Sequence, residues 1–502
     1  MKGLFGIIHE SSQRYPEKIF VRSMNHTWTY SEVESLAQSI SGYMLKYGVQ
    51  KGDRVVIFCD NSIQYIAAFF GTLRINAVAV PVNPAKMMDN ILYIIEKCSP
   101  RLIIACCSTV GKLDKAGQRL CTDIVNIDCC DLWDNPGCAG SPDALQDFAV
   151  DEGDDAVILF TSGTTAYPKG VTLTHRNLMA NTEAIVEYLQ LTSKDSVLMT
   201  LPFTYSYGNS VLLTHTFVGA SIVIENSTTY PYKILEGIKK HSVSGFSTVG
   251  SYINLMLKCM KNSGTDENFF GNLRYITFAG ESTNNNDIRF ICENYPDVKV
   301  YVMYGQTEAS ARLSYLSPGL LPGKTDSIGK GLSNVELKVV DESGVDIKPG
   351  EVGEIIARGP NIMKCYWEDS EATEEVLKGG WLYTGDNATV DEDGYIYIKG
   401  RKTDMLKHMG HRISPAEIEN VINSSSYIKE SAVIESTLDA VPVIKAFIVL
   451  EKERSMDEIK KYVYSKLPVY MRPQVFEIIR QLPRTDTGKI RRSALRRSLC
   501  AE

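Results

Sequence analysis

The sequence predicts an α/β protein: a large N-terminal domain made of two α/β subdomains and a β-rich subdomain, then a small α+β C-terminal domain. Three observations predict it. Helical and strand-like apolar patterns alternate over about the first 325 residues, short strands set between turn clusters follow from Ile328 to Ile398, and the alternation resumes after Arg401. Alternation of that kind builds sheets whose faces are covered by helices, whereas closely spaced short strands with Asp- and Gly-rich turns build antiparallel ones. At 502 residues the chain is also too long for one hydrophobic core, since domains run to about 100–200 residues.

Taken in order, Ser31-Glu32-Val33-Glu34 has the pattern of a capping box with Ser31 as N-cap. Val33, Leu36, Ala37, Ile40 and Met44 follow at helical spacing. Gly48 stops that helix and Lys51-Gly52-Asp53 turns the chain. The run Val55 to Cys59 is apolar throughout, as a buried parallel strand is. A helix over about Ile63 to Leu73 and a strand from Ala77 to Val80 come next. Further strands are expected at Ser221–Ile224, Tyr275–Phe278 and Val298–Met303, the last leading into Tyr304-Gly305. In the β-rich part the strands are Leu337–Val340, Gly353–Ala357 and Tyr395–Ile398. Beyond a boundary near residue 400, a helix at Pro415–Ile422, a strand at Lys445–Leu450 and a helix at Met456–Lys466 complete the pattern.

Composition excludes several classes of function. Hydrophobic residues make up 44% and charged residues 23%, with 53 basic against 60 acidic side chains and a net charge of −7. No global field therefore favours nucleic acid or an anionic membrane. The most apolar window, Tyr65 to Val82, is broken by Arg74 and Asn76, so no membrane span is expected. The apolar stretch after Met1 is too short for a secretory leader. The 12 cysteines are scattered without a C-x-x-C pair. That points to buried, reduced thiols in a cytoplasmic protein, Cys106–Cys107 and Cys129–Cys130 included, and not to a metal site.

The sharpest local feature is an apolar strand, Ile158-Leu159-Phe160, running into Thr161-Ser162-Gly163-Thr164-Thr165 and then Pro168-Lys169-Gly170. Glycine lets a backbone come close to an oxyanion, and Ser and Thr hydroxyls donate to it. Successive backbone amides form an anion-binding nest, to which Lys169 adds charge. The spacing is not that of a Walker A loop, which needs G-x-x-x-x-G-K-[ST]. Composition alone would also describe a surface turn between two strands.

The order S-G-T-T-x-x-P-K-G resembles the phosphate-binding loop of the adenylate-forming superfamily. That superfamily includes acyl-CoA synthetases, to which the likeness is greatest, peptide-synthetase adenylation domains and firefly-type luciferases. The resemblance covers nearly the whole chain. Thr29-Tyr30, Gly48–Val55 and Gly71–Pro84 are similar to the family's opening pattern. Tyr304-Gly305-Gln306-Thr307-Glu308, Gly380–Asp386, Gly394–Asp404 with Lys407, Gly410 and Pro415–Glu419, and Leu482–Ile490 then follow in family order. Taken singly, Glu308 reads as a loop acid, Asp386 as a turn aspartate and Lys489 as one cation of a basic tail; five ordered motifs carry the assignment.

The resemblance implies a role for each matched residue. Thr161, Ser162, Gly163, Thr164, Thr165 and Lys169 hold phosphates. Tyr304 stacks on adenine beside Gly280, Glu281, Gly305 and Gln306. Thr307 contacts phosphate and Glu308 contacts Mg2+, a hard dication that prefers carboxylate oxygen. Asp386 accepts both ribose hydroxyls, as a carboxylate can, and Arg401 contacts ribose or phosphate. Lys489 is the catalytic lysine, whose flexible ammonium reaches the attacking carboxylate and the α-phosphate together. The acyl pocket is lined by Leu201–Gly208 and Ala279–Glu281, with Tyr205, Ser206, Gly208 and Ala279 foremost. Residues 1–399 form the large domain, 400–404 a hinge with Thr403 where many relatives carry Asp or Lys, and 405–502 a mobile domain whose Lys407 and Gly410 face the thiol.

The implied chemistry has two halves. A substrate carboxylate attacks the α-phosphorus of Mg-ATP and expels pyrophosphate; a thiol then attacks the mixed anhydride and AMP leaves. Two anions meet in the first half, so the enzyme's task is neutralisation and positioning. The small domain turns about 400–404 between the halves. Amino-acid-activating relatives carry Asp where Ser206 stands, and a buried ammonium without a carboxylate is costly, so a fatty or aryl acid is expected. The thiol is coenzyme A or the phosphopantetheine of an acyl carrier protein. Amino-acid loading of such a carrier, luciferase-like oxygenation and a non-catalytic scaffold are the alternatives; Lys489, Glu308, Asp386 and the intact loop disfavour the last. No carrier or condensation domain is expected, since the chain ends at Glu502.

Overall fold

A computed structural model of the chain describes residues 3–23, 26–114, 122–129, 149–161, 167–263, 268–280, 284–401, 406–408, 411–438, 441–484 and 490–497. Two compact units emerge: Met1–Leu337 with Ala357–Leu382, and Lys338–Ile356 with Tyr383–Glu502.

The first unit holds two large sheets, the two α/β subdomains expected. Strands Asp155–Thr161, Val78–Pro81, Arg54–Phe58, Leu102–Ala105 and Asp123–Asn126 lie parallel in that order. Two antiparallel strands extend this sheet: Lys169–Thr174 beside Asp155–Thr161, then Cys365–Tyr366 at the edge. The second sheet runs Lys330–Gly331, Ser314–Leu316, Lys299–Tyr304, Tyr275–Phe278, Gly245–Thr248, Ser196–Met199, Ser221–Ile224, Ile19–Ser23, His26–Thr29. Apolar runs such as Val55–Phe58 are completely buried, which is why they read as unbroken hydrophobic segments and not as alternating ones. The placement of Ile19–Ser23 beside Ser221–Ile224, about two hundred residues away, has no local signal in the sequence.

The first long helix is Tyr30–Lys46, and its cap differs from the expected one. Thr29 is the N-cap: its hydroxyl accepts the Glu32 N–H at 3.3 Å, and the Glu32 carboxylate accepts the Thr29 N–H at 2.7 Å. The cap falls two residues before Ser31 and the helix begins at Tyr30, which belongs to the core; it is completely buried and donates to the Ala220 carbonyl at 2.6 Å. The other expected elements occur with ends shifted by a few residues. Cys59, Cys98 and Cys106 are buried free thiols, but Cys107 and Cys129, at the start of helix Cys107–Asp114 and the end of the turn Ile127–Cys129, are exposed because their side chains do not face the core; Cys130 is outside the described residues. Among the described residues no helix is long and apolar enough to cross a membrane.

The β-rich segment forms a five-stranded sheet of Glu336–Val340, Gly353–Arg358, Trp381–Val390 and Leu377–Lys378, with Ile396–Arg401 also paired to Trp381–Val390. Ile396–Arg401 is antiparallel to Asp386–Val390. Further on, Ile428–Leu438, Val441–Leu450 and Val475–Ile478 make a three-stranded sheet with helices Pro415–Asn423 and Met456–Lys466. Ile418, Ile422, Val433, Ile444 and Val463 fill the core between them.

Two histidines in the first unit are each only 1% exposed. The Leu4 N–H donates to His175 Nδ1 at 3.1 Å, so that nitrogen carries a lone pair. His215 Nδ1 faces the Val211 carbonyl at 2.9 Å, which can only accept, so Nδ1 holds the proton and Nε2 receives the Tyr275 hydroxyl at 2.9 Å. Burial holds both imidazoles at about 4, below their ordinary 6.5. Such groups take up a proton on unfolding, so the stability they support is complete above about pH 6.5 and is lost as the pH falls towards 4. We expect the melting temperature to fall across that window, each histidine accounting for about 3 kcal/mol. His175→Asn should flatten the decline in thermal melts; an unchanged slope would refute the assignment.

Candidate active site

The phosphate-loop segment is built on a hairpin. Thr161 and Lys169 end its two strands and are register partners, with the Thr161 hydroxyl on the Lys169 carbonyl at 3.4 Å. Ser162, Gly163, Thr164 and Thr165 lie outside the described residues. Cys365–Tyr366 pairs along the outer strand, and the Trp367 N–H meets the Gly170 carbonyl at 2.6 Å. This edge lays the Tyr366 ring 5.0 Å from Lys169 Nζ, within cation–π range. The Tyr366 hydroxyl donates to Glu308 Oε1 at 2.7 Å. Lys169 and Glu308, 139 positions apart by their numbers, are thus joined through one tyrosine.

Thr307 and Glu308 sit in a tight turn after strand Lys299–Tyr304. Gly305 is required there: a Cβ would fall 1.9 Å from the Ala311 carbonyl oxygen. Ser310 and Ala311 have φ of 60° and 138°, conformations that cost a non-glycine residue energy. Hydrogen bonds hold them there. The Ser310 hydroxyl donates to the Asn361 carbonyl at 2.7 Å, and Asn361 Nδ2 donates to the carbonyls of Ala309 and Arg312 at 3.2 and 2.9 Å. Asn181 donates to the same Arg312 carbonyl at 2.9 Å. The Met363 N–H reaches the Glu308 carbonyl at 2.8 Å.

Tyr304 is buried at the strand end. The Gln306 side-chain nitrogen is buried without a hydrogen-bond partner among the described residues. Such a donor suits a site completed by a polar ligand.

The residues expected to line the acyl pocket reach this turn from the same sheet, after its interior strand Ser196–Met199. Ser206 opens helix Ser206–Phe217, and its hydroxyl shares a 3.2 Å hydrogen bond with that of Thr307. The neighbouring Tyr207 hydroxyl, which burial pushes up from its ordinary pKa, contacts the Thr277 carbonyl and hydroxyl at 3.0 and 2.7 Å. This ties the helix start to the strand that ends at Phe278, just before buried Ala279. Gly208 is buried so close to the loop before it that a Cβ would lie 2.1 Å from the Pro202 carbonyl oxygen. Tyr205 caps the helix without a side-chain bond to it. Gly280 follows Ala279 with φ +89°; Glu281 is outside the described residues.

In the second unit, Asp386 and Arg401 are register partners and form an ion pair, Nε to Oδ1, at 2.9 Å. Arg401 also donates to the Thr384 carbonyl at 2.9 Å. Asp386 is only 6% exposed, so its carboxylate is aimed by the sheet and the guanidinium. Lys407 lies in the hairpin Leu406–His408 and His411–Ile413, opposite Arg412. Gly410, Lys489 and hinge residues 402–404 lie outside the described residues. Tyr366, Asn361 and Asn181 were not singled out in the sequence: each acts through tertiary contacts with segments far away in the chain, which local patterns do not reveal.

Comparison with known proteins agrees with this geometry. A family described as "AMP-binding enzyme" matches residues 8–367, and its "AMP-binding enzyme C-terminal domain" matches residues 417–489. The chain is 30% identical to 4-coumarate–CoA ligase 3 of Arabidopsis thaliana over 502 aligned residues, covering 96% of this chain and 88% of that one. Among solved structures, the anthranilate CoA ligase AuaEII in complex with anthranoyl-AMP superposes with a TM-score of 0.90 at 26% identity, covering 99% and 97% of the two chains. O-succinylbenzoate coenzyme A synthetase (MenE) from Bacillus subtilis, in complex with ATP and magnesium ion, gives 0.87 at 25%, covering 98% and 99%. With matches over both of its domains, the chain belongs to the family of AMP-binding enzymes and is an AMP-forming acid–thiol ligase.

Proposed function

We propose that the chain joins a fatty or aryl carboxylic acid to coenzyme A through an acyl-adenylate, in the cytoplasm. The observation that supports this best is the line of contacts from Lys169 through Tyr366 to Glu308, continued from Thr307 to Ser206. A cation, a carboxylate and two hydroxyls from separate segments converge where strands of both sheets end, the place where α/β sheets bind ligands. The named substrates of the relatives favour coenzyme A over a carrier protein, and the free thiols among the described cysteines suit a reducing compartment.

Each residue then has a task in bringing two anions together. Lys169 and residues 161–165 hold the phosphates of ATP. Tyr304, Gly305, Gly280 and Glu281 flank the adenine, and the unpaired Gln306 amide supplies a donor nearby. Asp386, held by Arg401, accepts the ribose hydroxyls. Glu308 would hold Mg2+, its hydrogen bond from Tyr366 fixing the carboxylate; bound there, the ion supplies positive charge against the phosphate oxygens. Thr307 contacts the α-phosphate. No general base is needed, because the acid attacks as its carboxylate. Lys489 offsets the charge that builds up between carboxylate and phosphate.

Tyr205, Ser206, Gly208 and Ala279 surround the acyl group. Ser206 cannot pair an α-ammonium as a carboxylate would, so acids without one are preferred. Residues 400–404 serve as a hinge between the half-reactions, after which Lys407 and Gly410 serve the thiol side.

ATP–pyrophosphate exchange over a panel of acids should proceed with aryl and fatty acids and not with amino acids; exchange confined to amino acids would overturn the assignment. Coenzyme A should consume the adenylate, and turnover only with a phosphopantetheinylated carrier protein would replace it as acceptor. Lys489→Ala should lower adenylate formation by about 10²–10³-fold while thioester formation from supplied acyl-AMP stays near normal. Tyr366→Phe should raise the KM for Mg-ATP about three- to tenfold with the KM for the acid unchanged.

A further inference from the structure

The stretch Leu201–Tyr205 lies between strand Ser196–Met199 and helix Ser206–Phe217. It has no ladder of its own, yet it is held firmly from one direction. Asn61, 8% exposed, donates from Nδ2 to the Leu201 carbonyl at 2.8 Å and accepts the Phe203 N–H on Oδ1 at 2.8 Å. Tyr65, completely buried, donates its hydroxyl to the Phe203 carbonyl at 3.1 Å, and its ring packs on that of Phe203 with centroids 5.3 Å apart. The Asn61 carbonyl is held in turn by Asn226 Nδ2 at 2.9 Å. Within the loop the Tyr205 N–H meets the Pro202 carbonyl at 3.2 Å. Ser206, the next residue, is the one bonded to Thr307.

We propose that Asn61 and Tyr65 are positioning residues for the acid substrate. Through the backbone of 201–205 they set where Tyr205 and Ser206 stand against the reacting carboxylate. Both belong to the first sheet's layer, Asn61 just after strand Arg54–Phe58 and Tyr65 in the first turn of helix Ile63–Arg74, and neither touches the acid itself. An amide that grips a carbonyl and an N–H two residues apart immobilises both sides of a turn that regular structure does not support. Small displacements of such a loop are expensive, since a shift of about 1 Å can cost about 10²-fold in rate. The inference rests on the acyl-pocket assignment made under the proposed function.

The test is ATP–pyrophosphate exchange by the full chain, with the acid and ATP varied separately. Asn61→Ala should raise the KM for the acid about tenfold, with the KM for ATP within about twofold of normal. Tyr65→Phe keeps the ring and its packing, loses only the donor, and should raise the acid KM about threefold; it remains informative if Asn61→Ala does not fold. Asn61→Asp retains the acceptor for Phe203 and should fall between wild type and Asn61→Ala. If acid and ATP KM rise together, or if only the melting temperature and the active fraction fall, the two residues are merely structural and the proposal is overturned. Ala279→Trp separates the two ideas. A changed acid preference there, with flat acid KM in the Asn61 and Tyr65 variants, overturns the positioning role alone. An unchanged preference removes the acyl-pocket assignment and the positioning role with it.

Discussion

The turn from Gly305 to Arg312 exists because Asn361 holds it. Two of its residues, Ser310 and Ala311, occupy backbone conformations that L residues avoid, at a cost of order 1–3 kcal/mol each. Left to local preference, the segment would relax, and Thr307 and Glu308 would swing away from their partners. Asn361, with no exposed surface, opposes this: its side chain donates to two backbone carbonyls of the turn, and its own carbonyl accepts the Ser310 hydroxyl. Bonds made in a dry environment are expensive to break. The same stretch of chain then delivers Tyr366, five residues on, to the Glu308 carboxylate. One segment thus shapes the turn and orients the acid on it.

The reaction explains why such rigidity is worth its strain. Carboxylate and polyphosphate repel each other, and neutralising groups help most when they stand in place before the reactants arrive. Lys169 is fixed by its strand and by the ring beneath it; Asp386 is fixed by its strand and by Arg401. The loop at 201–205 is likewise pinned to the first sheet's layer by Asn61 and Tyr65. The two sheets therefore have different tasks. One presents the hairpin of Thr161 and Lys169 and braces the loop at 201–205, and the other carries helix Ser206–Phe217 and the Thr307–Glu308 turn.

Much of this was legible in the sequence where the physics is local. Val55–Phe58 and Tyr275–Phe278 are strands buried on both faces, and their unbroken apolar runs say so. The motif residues could be named because a resemblance ordered them, and two of them, Asp386 and Arg401, meet through strand register. The capping box was ambiguous: Thr29-x-x-Glu32 and Ser31-x-x-Glu34 both satisfy the pattern, and only the burial of Tyr30 decides between them. Asn361, Tyr366 and Asn61 were not legible at all. Each acts across the fold on a backbone group or a single side chain, and nothing in its neighbours' periodicity announces that. Strand Ile19–Ser23 was equally silent about which sheet it would join.

The edge strand Cys365–Tyr366 has a consequence for how the molecule comes into being. Its hydrogen-bonding partner, Lys169–Thr174, emerges from the ribosome roughly two hundred residues earlier. During that interval the hairpin presents an unpaired flank, the kind of flank that invites association with other chains. Closure over so long a span is slow compared with local folding. The outer flank of that hairpin therefore stays without its neighbour until the chain has been translated as far as Tyr366.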